Sequence, residues 1–418
     1  MKYIEMNNFE KLKQLLSYIQ NNVDFYKNKF QNKYSNINSE AELLRELKNI
    51  PIVEKKEIKS NLKLFLSNSI RFEDVKDFFY GDYDFKKEYE IKSNNLSCFL
   101  EFTSGTSGSP FFSLKTLQER LILGNYIWRQ RRLHGIVNTS EMFNFIHNFG
   151  ECWYPFPFER ENTDEFRIAK ELNFLKSSPY KLWHISQYKL ESYSRYVIEN
   201  NLRFENLMVI ENNGSYISPS EKERYEEIFN CRVVDNYGCR EVWNIAYDCK
   251  FGNMHVNDST LYFELVDEFG NIIDEYNKTG YVVVTSLYQK YMPFVRYKTG
   301  DLAYYKEEKC KCGNKSRIIV LVPGRNKILG TELYGNIIFK NAIVRILVLH
   351  NLKNFESISV SQIRKNKFIV KICRNREQKE EIERAFIESA NYCIGTNNNT
   401  FIFKYVEVDD SKNIFTSI

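Results

Sequence analysis

From Cys98 onward the chain alternates between two patterns with different periods. Short apolar runs (SCFLEFT, MFNFIHNF, NLMVIE, CRVVDNYG) are separated by stretches with helical spacing (LQERLILGNYIWRQRRL, YKLESYSRYVIENN, PSEKERYEEIF). Strand and helix in strict alternation restrict a chain to a mainly parallel sheet covered by helices, because each parallel connection must cross over. A second block, His255 to Asp301, is richer in strands (TLYFELVD, GYVVVTSL, FVRYKTGD), with EFGN as a turn. Residues 1 to about 95 are charge-rich and helix-patterned instead, with Ser39 placed as an N-cap and Pro51 closing the segment SEAELLRELKNI. KKEIKSNLKLFL reads as a further helix.

PGRN, residues 323–326, marks the best boundary. Beyond it KNAIVRILVLH (helix), ESISVSQI and KFIVKICR (strands), EQKEEIERAFIESANY (helix) and TFIFKYVEV (strand) form a small α+β unit. The expected fold class is therefore α/β. A large N-terminal domain spans 1–322, with 1–95 helical and 250–322 strand-rich, and a small α+β domain spans 325–418. No internal repeat or low-complexity linker interrupts it.

Composition bounds the function. At 418 residues, with 43% hydrophobic and 15% aromatic residues, the chain is globular and long enough for two or three domains. A formal charge of +5, set against 59 basic and 54 acidic residues, is too weak to argue for nucleic-acid binding. The N-terminal segment reads as an amphipathic helix rather than a secretory signal, and AIVRILVL falls short of the roughly 20 residues that span a bilayer. The expected location is the cytoplasm, so the nine cysteines are expected as reduced thiols or metal ligands.

Four stretches carry chemistry. Thr103, Ser104, Gly105, Thr106, Ser107 and Gly108 follow a strand-like run; glycines let the backbone turn tightly, and hydroxyls add donors around an anion. No GK[ST] follows, so this is not a Walker A loop. DNYGCREVW holds Asn236, Tyr237, Gly238, Arg240 and Glu241 at the end of an apolar strand, where α/β proteins place ligand contacts. VRYKTGDL holds Arg296 and Asp301, and a carboxylate after a glycine turn suits a ribose diol. PGRNK holds Arg325 at the boundary, where a guanidinium reaches ribose or phosphate. Each alone fits a turn, a surface glutamate or a solvated arginine.

In this order and spacing, the four stretches together resemble the adenylate-forming superfamily of acyl-CoA synthetases and adenylation domains. The likeness is greatest to its phenylacetate–CoA ligase-like branch, including the type found in capsular polysaccharide biosynthesis. The resemblance implies that Thr103 to Gly108 wrap the phosphates of ATP and that Glu241 holds Mg²⁺. It places Asn213, Gly214, Asn236, Tyr237 and Gly238 around the adenine, Asp301 on the ribose and Arg325 on ribose or phosphate at the hinge. FIHNFGECWYPF, with His147, Phe149 and Trp153, falls where the family builds its acyl pocket, although an aromatic run also suits a core.

The departures are as informative. Ser109 stands where many relatives carry lysine, and Arg240 stands where threonine is usual and could restore the lost charge. Asn326, Lys327 and Ile328 replace an acidic hinge. The family's C-terminal catalytic lysine has one candidate, Lys412, which lacks the usual preceding glycine.

Cys249, His255, Cys310 and Cys312 form a second constellation, in CKFGNMH and CKCG. Thiolates and imidazole suit tetrahedral Zn²⁺; buried free cysteines are the alternative reading. A similar arrangement in the resembled branch implies a structural zinc with no open position for chemistry.

The expected function is ATP-dependent activation of a small carboxylic acid, weakly favouring an aryl one, as its adenylate with release of pyrophosphate. The acyl group then passes to a thiol of coenzyme A or a carrier protein. An amide-forming ligase using an amine of a polysaccharide or natural-product pathway is one alternative. A nucleotide-binding homologue without catalysis is another, favoured by the missing GK pair and the altered hinge. The expected partners include no nucleic acid and no membrane span, and a homodimer is compatible with the reading.

Overall fold

The computed structural model describes residues 7–27, 29, 34, 37–80, 89–103, 111–144, 165–214, 216–322, 357–364, 366–373, 379–394 and 399–406. They fall into two compact units. One comprises Met1–Gly105, Ser109–Gly135 and Tyr237–Val320; the other comprises Thr106–Gly108, Ile136–Asn236 and Leu321–Ile418.

The first unit opens with helices. In α1 (Asn8–Asn22) the Asn7 side chain caps the N-terminus, and Leu12, Leu15, Leu16 and Ile19 are buried at helical spacing. Each such side chain contributes roughly 1.5–3 kcal/mol, which anchors this segment to the unit. A single turn, α2 (Asp24–Lys27), precedes α3 (Glu40–Asn49), where Ser39 accepts from the Glu42 N–H as expected. After Pro51 come β1 (Val53–Glu54), α4 (Lys55–Ser60) and α5 (Leu62–Phe65). The single helix expected here is two, because Asn61 leaves helical geometry at ψ 31°. Beyond α6 (Asp77–Tyr80), β2 (Tyr89–Ser93), β3 (Leu96–Thr103) and β4 (Phe111–Thr116) form an antiparallel sheet in that order. A capping box of Thr116 and Glu119 then starts α7 (Leu117–Leu133).

The second unit carries the expected parallel alternation. β5 (Met142–Asn144), α8 (Glu165–Ser177), β6 (Leu182–Ile185), α9 (Gln187–Glu199), β7 (Val209–Asn213), α10 (Pro219–Phe229) and β8 (Arg232–Cys239) follow one another. The four strands pair in parallel in chain order. Trp183, Ile210 and Val233 from the strands pack with Leu172, Leu190, Tyr225 and Phe229 from the helices.

Past Asn236 the chain re-enters the first unit. There β9 (Trp243–Asp248), β10 (Met254–Val256), β11 (Leu261–Val266), β12 (Gly280–Ser286), β13 (Tyr297–Tyr305) and β14 (Ile318–Val322) lie in the order β11-β12-β13-β14-β10-β9. All seven residues of β12 are buried. The short β1 pairs in parallel with β13, Val53 opposite Tyr297, which delivers the start of α4 to that strand.

Of the C-terminal segment, β15 (Ser357–Arg364), β16 (Lys367–Cys373) and β17 (Thr400–Val406) form a three-stranded sheet, with α11 (Lys379–Ile394) between the last two strands; Phe368, Val370, Ile372 and Phe386 are buried. The boundary expected at 323–326 and the helix expected in KNAIVRILVLH lie outside the described residues. Among the described residues no helix is long and apolar enough to cross a membrane.

Candidate active site and metal centre

Glu241 follows β8 and is 2% exposed. Its Oε1 accepts a hydrogen bond from the Tyr297 hydroxyl at 2.9 Å and lies 2.8 Å from Lys55 Nζ. Tyr297 begins β13 and Lys55 begins α4, so the pairing of β1 with β13 brings both to one carboxylate. Burial pushes the Glu241 carboxyl up, but the Lys55 ammonium and its hydrogen bond, with help from Tyr297, outweigh it, and the net shift is downward. The group is therefore an ionised carboxylate, a hard oxygen donor held here by one lysine ammonium. Lys55 also lies 5.5 Å above the ring of Phe111, the residue that ends the hydroxyl/glycine loop.

The main chain on either side of this carboxylate is clamped by side chains. The Arg240 carbonyl accepts from Ser113 Oγ at 3.0 Å and from Lys115 Nζ at 2.6 Å, and the Glu241 carbonyl accepts from Gln289 Nε2 at 2.7 Å. Lys115 has no exposed surface and pairs with Glu101 Oε2 at 3.0 Å; the same oxygen accepts the Trp243 indole N–H at 2.7 Å. Glu101 and Lys115 belong to β3 and β4, the strands that bracket Ser104 to Pro110, and Thr103 pairs with Phe111 at their ends. One buried ion pair thus joins the base of the expected phosphate loop to the segment carrying Glu241. The Arg240 side chain itself is exposed.

Two glycines have backbone causes. A Cβ at Gly238 would lie 2.0 Å from the Trp243 carbonyl oxygen, so no side chain fits. Gly300 has φ +86°, a conformation that favours glycine, and it sets Asp301 beside Tyr237. The Tyr237 hydroxyl donates to Asp301 Oδ2 at 2.9 Å. Burial, and then the Asp301 charge, push that phenol well above its ordinary value, so it remains a fixed donor. Arg296, from the same motif, is structural. It pairs with Glu264 and donates to the carbonyls of Lys48 and Ile50 at the end of α3.

In the second unit, Asn213 and Gly214 close β7, and Asn236 sits opposite Asn213 on β8. Asn236 donates to Glu211 at 3.2 Å, and Asn213 Nδ2 lies 3.2 Å from His184 Nε2. Ser104 to Gly108, His147, Phe149, Trp153, Arg325 and Lys412 lie outside the described residues. Lys55, Lys115, Gln289 and Tyr297 escaped the sequence reading. Tyr297 was quoted within its motif, and the one available signal for Lys115 was a lysine inside an otherwise apolar strand.

The ligand atoms of Cys249, His255, Cys310 and Cys312 lie within 4.8 Å of one another. Cys249 follows β9, His255 lies on β10, and the cysteine pair lies between β13 and β14. Cys249 and Cys310 sulfurs are 3.5 Å apart, and Cys312 Sγ is 3.3 Å from His255 Nε2. Zn–S bonds of about 2.3 Å in a tetrahedron require separations of this size. His255 Nδ1 donates to the Ser316 carbonyl at 3.0 Å, which leaves Nε2 as the ligand atom. Donors from Phe251, Asn253 and Asn314 point at the three sulfurs. Gly252 and Gly313, at φ +75° and +83°, supply the tight turns. The donor set fits zinc, whose tetrahedron four such ligands would complete.

A solved 2-hydroxyisobutyryl-CoA ligase, in the postadenylation state with 2-HIB-AMP, matches this chain with TM-score 0.62 at 15% identity. The match covers 98% of this chain and 88% of that one. The fold is that of the adenylate-forming ligases. The same ligase with 2-HIB-AMP and CoA in the thioesterification state gives TM-score 0.58 at 15% identity, over 98% and 88% of the two chains. Protein CapK of Staphylococcus aureus is 25% identical over 272 residues, so the match spans 60% of this chain and 59% of that protein's length. No protein-family model matches. The adenylate-forming fold is thus present here with Glu241, Tyr237 and Asp301 gathered in one compact unit.

Proposed function

We propose that the chain uses ATP to activate a carboxylic acid as its adenylate and then passes the acyl group to a thiol, of coenzyme A or a carrier protein. The observation that carries this reading is the convergence of Glu241, Lys55 and Tyr297, with Tyr237 and Asp301, inside one unit of an adenylate-forming fold.

In the first half-reaction a carboxylate oxygen attacks the α-phosphorus of ATP, and the bond to pyrophosphate breaks. Two anions must meet, so catalysis consists of charge neutralisation and positioning. Glu241 would hold Mg²⁺, which supplies positive charge to the phosphates. Lys55 is the cation best placed to stand in for the lysine missing at Ser109, since it already reaches Glu241 past Phe111. Asp301, oriented by Tyr237, would accept hydrogen bonds from the ribose hydroxyls. In the second half-reaction the thiolate attacks the carbonyl carbon and the C–O bond to AMP breaks. The CoA complex of the similar ligase supports a thiol acceptor. Zinc at the four-ligand centre would fix the ends of β9 and β10 to the β13–β14 connection without entering the chemistry.

ATP–pyrophosphate exchange over a panel of aromatic and aliphatic acids tests the reading. Acid-dependent exchange, lost on the order of 10²–10³-fold or more in Glu241→Ala, is expected. ATP binding without exchange for any acid would sink it.

A further inference from the structure

Cys249, Cys310 and Cys312 differ chemically from the other described cysteines. Burial pushes the Cys98 thiol up to about 12 and those of Cys231 and Cys239 well above their ordinary value, so these three stay protonated and inert. A thiol that ligates zinc is deprotonated outright, and the thiolate is the form that an oxidant meets as a nucleophile. Among the described residues, the reactive sulfur is therefore gathered at the four-ligand centre.

Exposure there is uneven. Cys249 is buried, whereas Cys310 and Cys312 are half-buried on a connection whose Lys309, Lys311, Gly313, Asn314 and Lys315 are exposed. An oxidant arriving in water thus reaches Cys310 before Cys249. Cys310 Sγ meets Cys249 Sγ at 3.5 Å, while Cys312 Sγ faces His255 Nε2 at 3.3 Å. A bond from Cys310 to Cys312 would close a small ring across one residue, which strains the disulfide dihedral. Cys249 and Cys310 lie 61 residues apart, on separate segments of the same compact unit. An accessible thiolate with a second sulfur in reach is the arrangement of a redox-sensing pair, in which one sulfur is attacked and the other resolves it.

We propose that the centre is a redox-sensitive modification site, at which hydrogen peroxide joins Cys249 to Cys310 and the zinc leaves. The Cys310 thiolate attacks one peroxide oxygen; the O–O bond breaks, hydroxide departs and a sulfenic acid remains. The Cys249 thiolate then attacks the Cys310 sulfur, which forms the S–S bond and expels a second hydroxide. The two sulfurs supply the two electrons that reduce the peroxide, and both hydroxides take protons from water. His255 and Cys312 are left, half of the set that a structural zinc requires. The strands set loose are those that frame the candidate active site: β9 begins just after Glu241, and β13 carries Tyr297 and Asp301. Zinc occupancy, not the acid-activation reading, is the premise.

The test treats the full chain, loaded with zinc and freed of reductant, with graded hydrogen peroxide. A chromogenic chelator follows metal release, and peptide mapping without reductant locates the new bond. About one zinc should leave per Cys249–Cys310 disulfide, in a chain lighter by the two thiol hydrogens, and dithiothreitol with added zinc should reverse both changes. Cys249→His keeps four ligands of a kind that zinc accepts but removes the resolving sulfur, and it should release metal several-fold more slowly. Cys231→Ser, outside the centre, should release it at the parental rate. Should the histidine variant fail to hold zinc, the disulfide map of the parent chain decides alone. A chain that takes up no zinc, keeps it through excess peroxide, or releases it while Cys249 and Cys310 remain unlinked would overturn the proposal. A parental release rate in zinc-loaded Cys249→His would do the same.

Discussion

Replacing Lys115 by methionine isolates the buried ion pair beneath the candidate active site. Methionine keeps the unbranched length and nearly the volume, so little cavity forms. Removing one partner of a buried pair costs about 3–5 kcal/mol, because the remaining charge is left uncompensated. Glu101 keeps the Trp243 indole at 2.7 Å and the Arg120 guanidinium at 3.6 Å, which places the expected loss near the lower end, about 3 kcal/mol. That is a large share of a typical stability of about 5–15 kcal/mol. A chain with two compact units need not unfold in one step, so the urea transition to follow is the one sensed by Trp243 fluorescence. The double variant Glu101→Leu/Lys115→Met removes both charges and should recover about 2 kcal/mol or more of the loss, a coupling measurable by the double-mutant cycle. Pyrophosphate exchange should fall in Lys115→Met as well, since the Arg240 carbonyl loses its shortest donor. A single variant within about 0.5 kcal/mol of the parent, or a double variant no better than the single, would refute the account.

Protein purified without chelator should contain about one zinc per chain, and Cys310→Ser should lose the metal and unfold at lower denaturant; metal-free protein, or full stability of the variant, would count against the centre. Lys55→Met should make the stability difference from the parent depend on pH. The Glu241 carboxyl is held below its usual range, so its contribution is complete above about pH 4.3 and is lost as pH falls through the folded value. Urea unfolding at pH 7, 5 and 3 should show the gap between parent and variant closing toward the acid end, and a gap constant over that range would sink the pairing.

What was legible in the sequence is what local physics decides. The Ser39 cap follows from a side chain meeting backbone within one turn, and α10 from the helical spacing of PSEKERYEEIF. The parallel strands of the second unit follow from alternation alone. Glu241, Tyr237 and Asp301 came from ordered motifs, and Gly238 shows why one of those motifs needs its glycine: the backbone of Trp243 takes up the space. The unread residues act across long separations. Nothing near Lys55 points to Glu241, and the meeting requires β1 to pair with β13. Lys115 looks like any lysine in a strand until Glu101 of β3 and the carbonyl of Arg240 meet it, and the contact of His184 with Glu211 needs the register of β6 against β7. Asn61 broke an expected helix because its own backbone leaves the helical region.

The placement of β1 has a consequence for how the chain is made. Arg296 reaches back 248 residues to Lys48, and Lys298 reaches back 244 to Glu54. When the ribosome has delivered the first helices and the β2–β4 sheet, the strands that will complete their unit do not yet exist. Residues 136–236, by contrast, are contiguous and can build their parallel sheet as they emerge. Because contacts of high sequence separation form slowly, the later-made strands β9 to β13 should set the pace of maturation, with Glu241 meeting Lys55 among the last events.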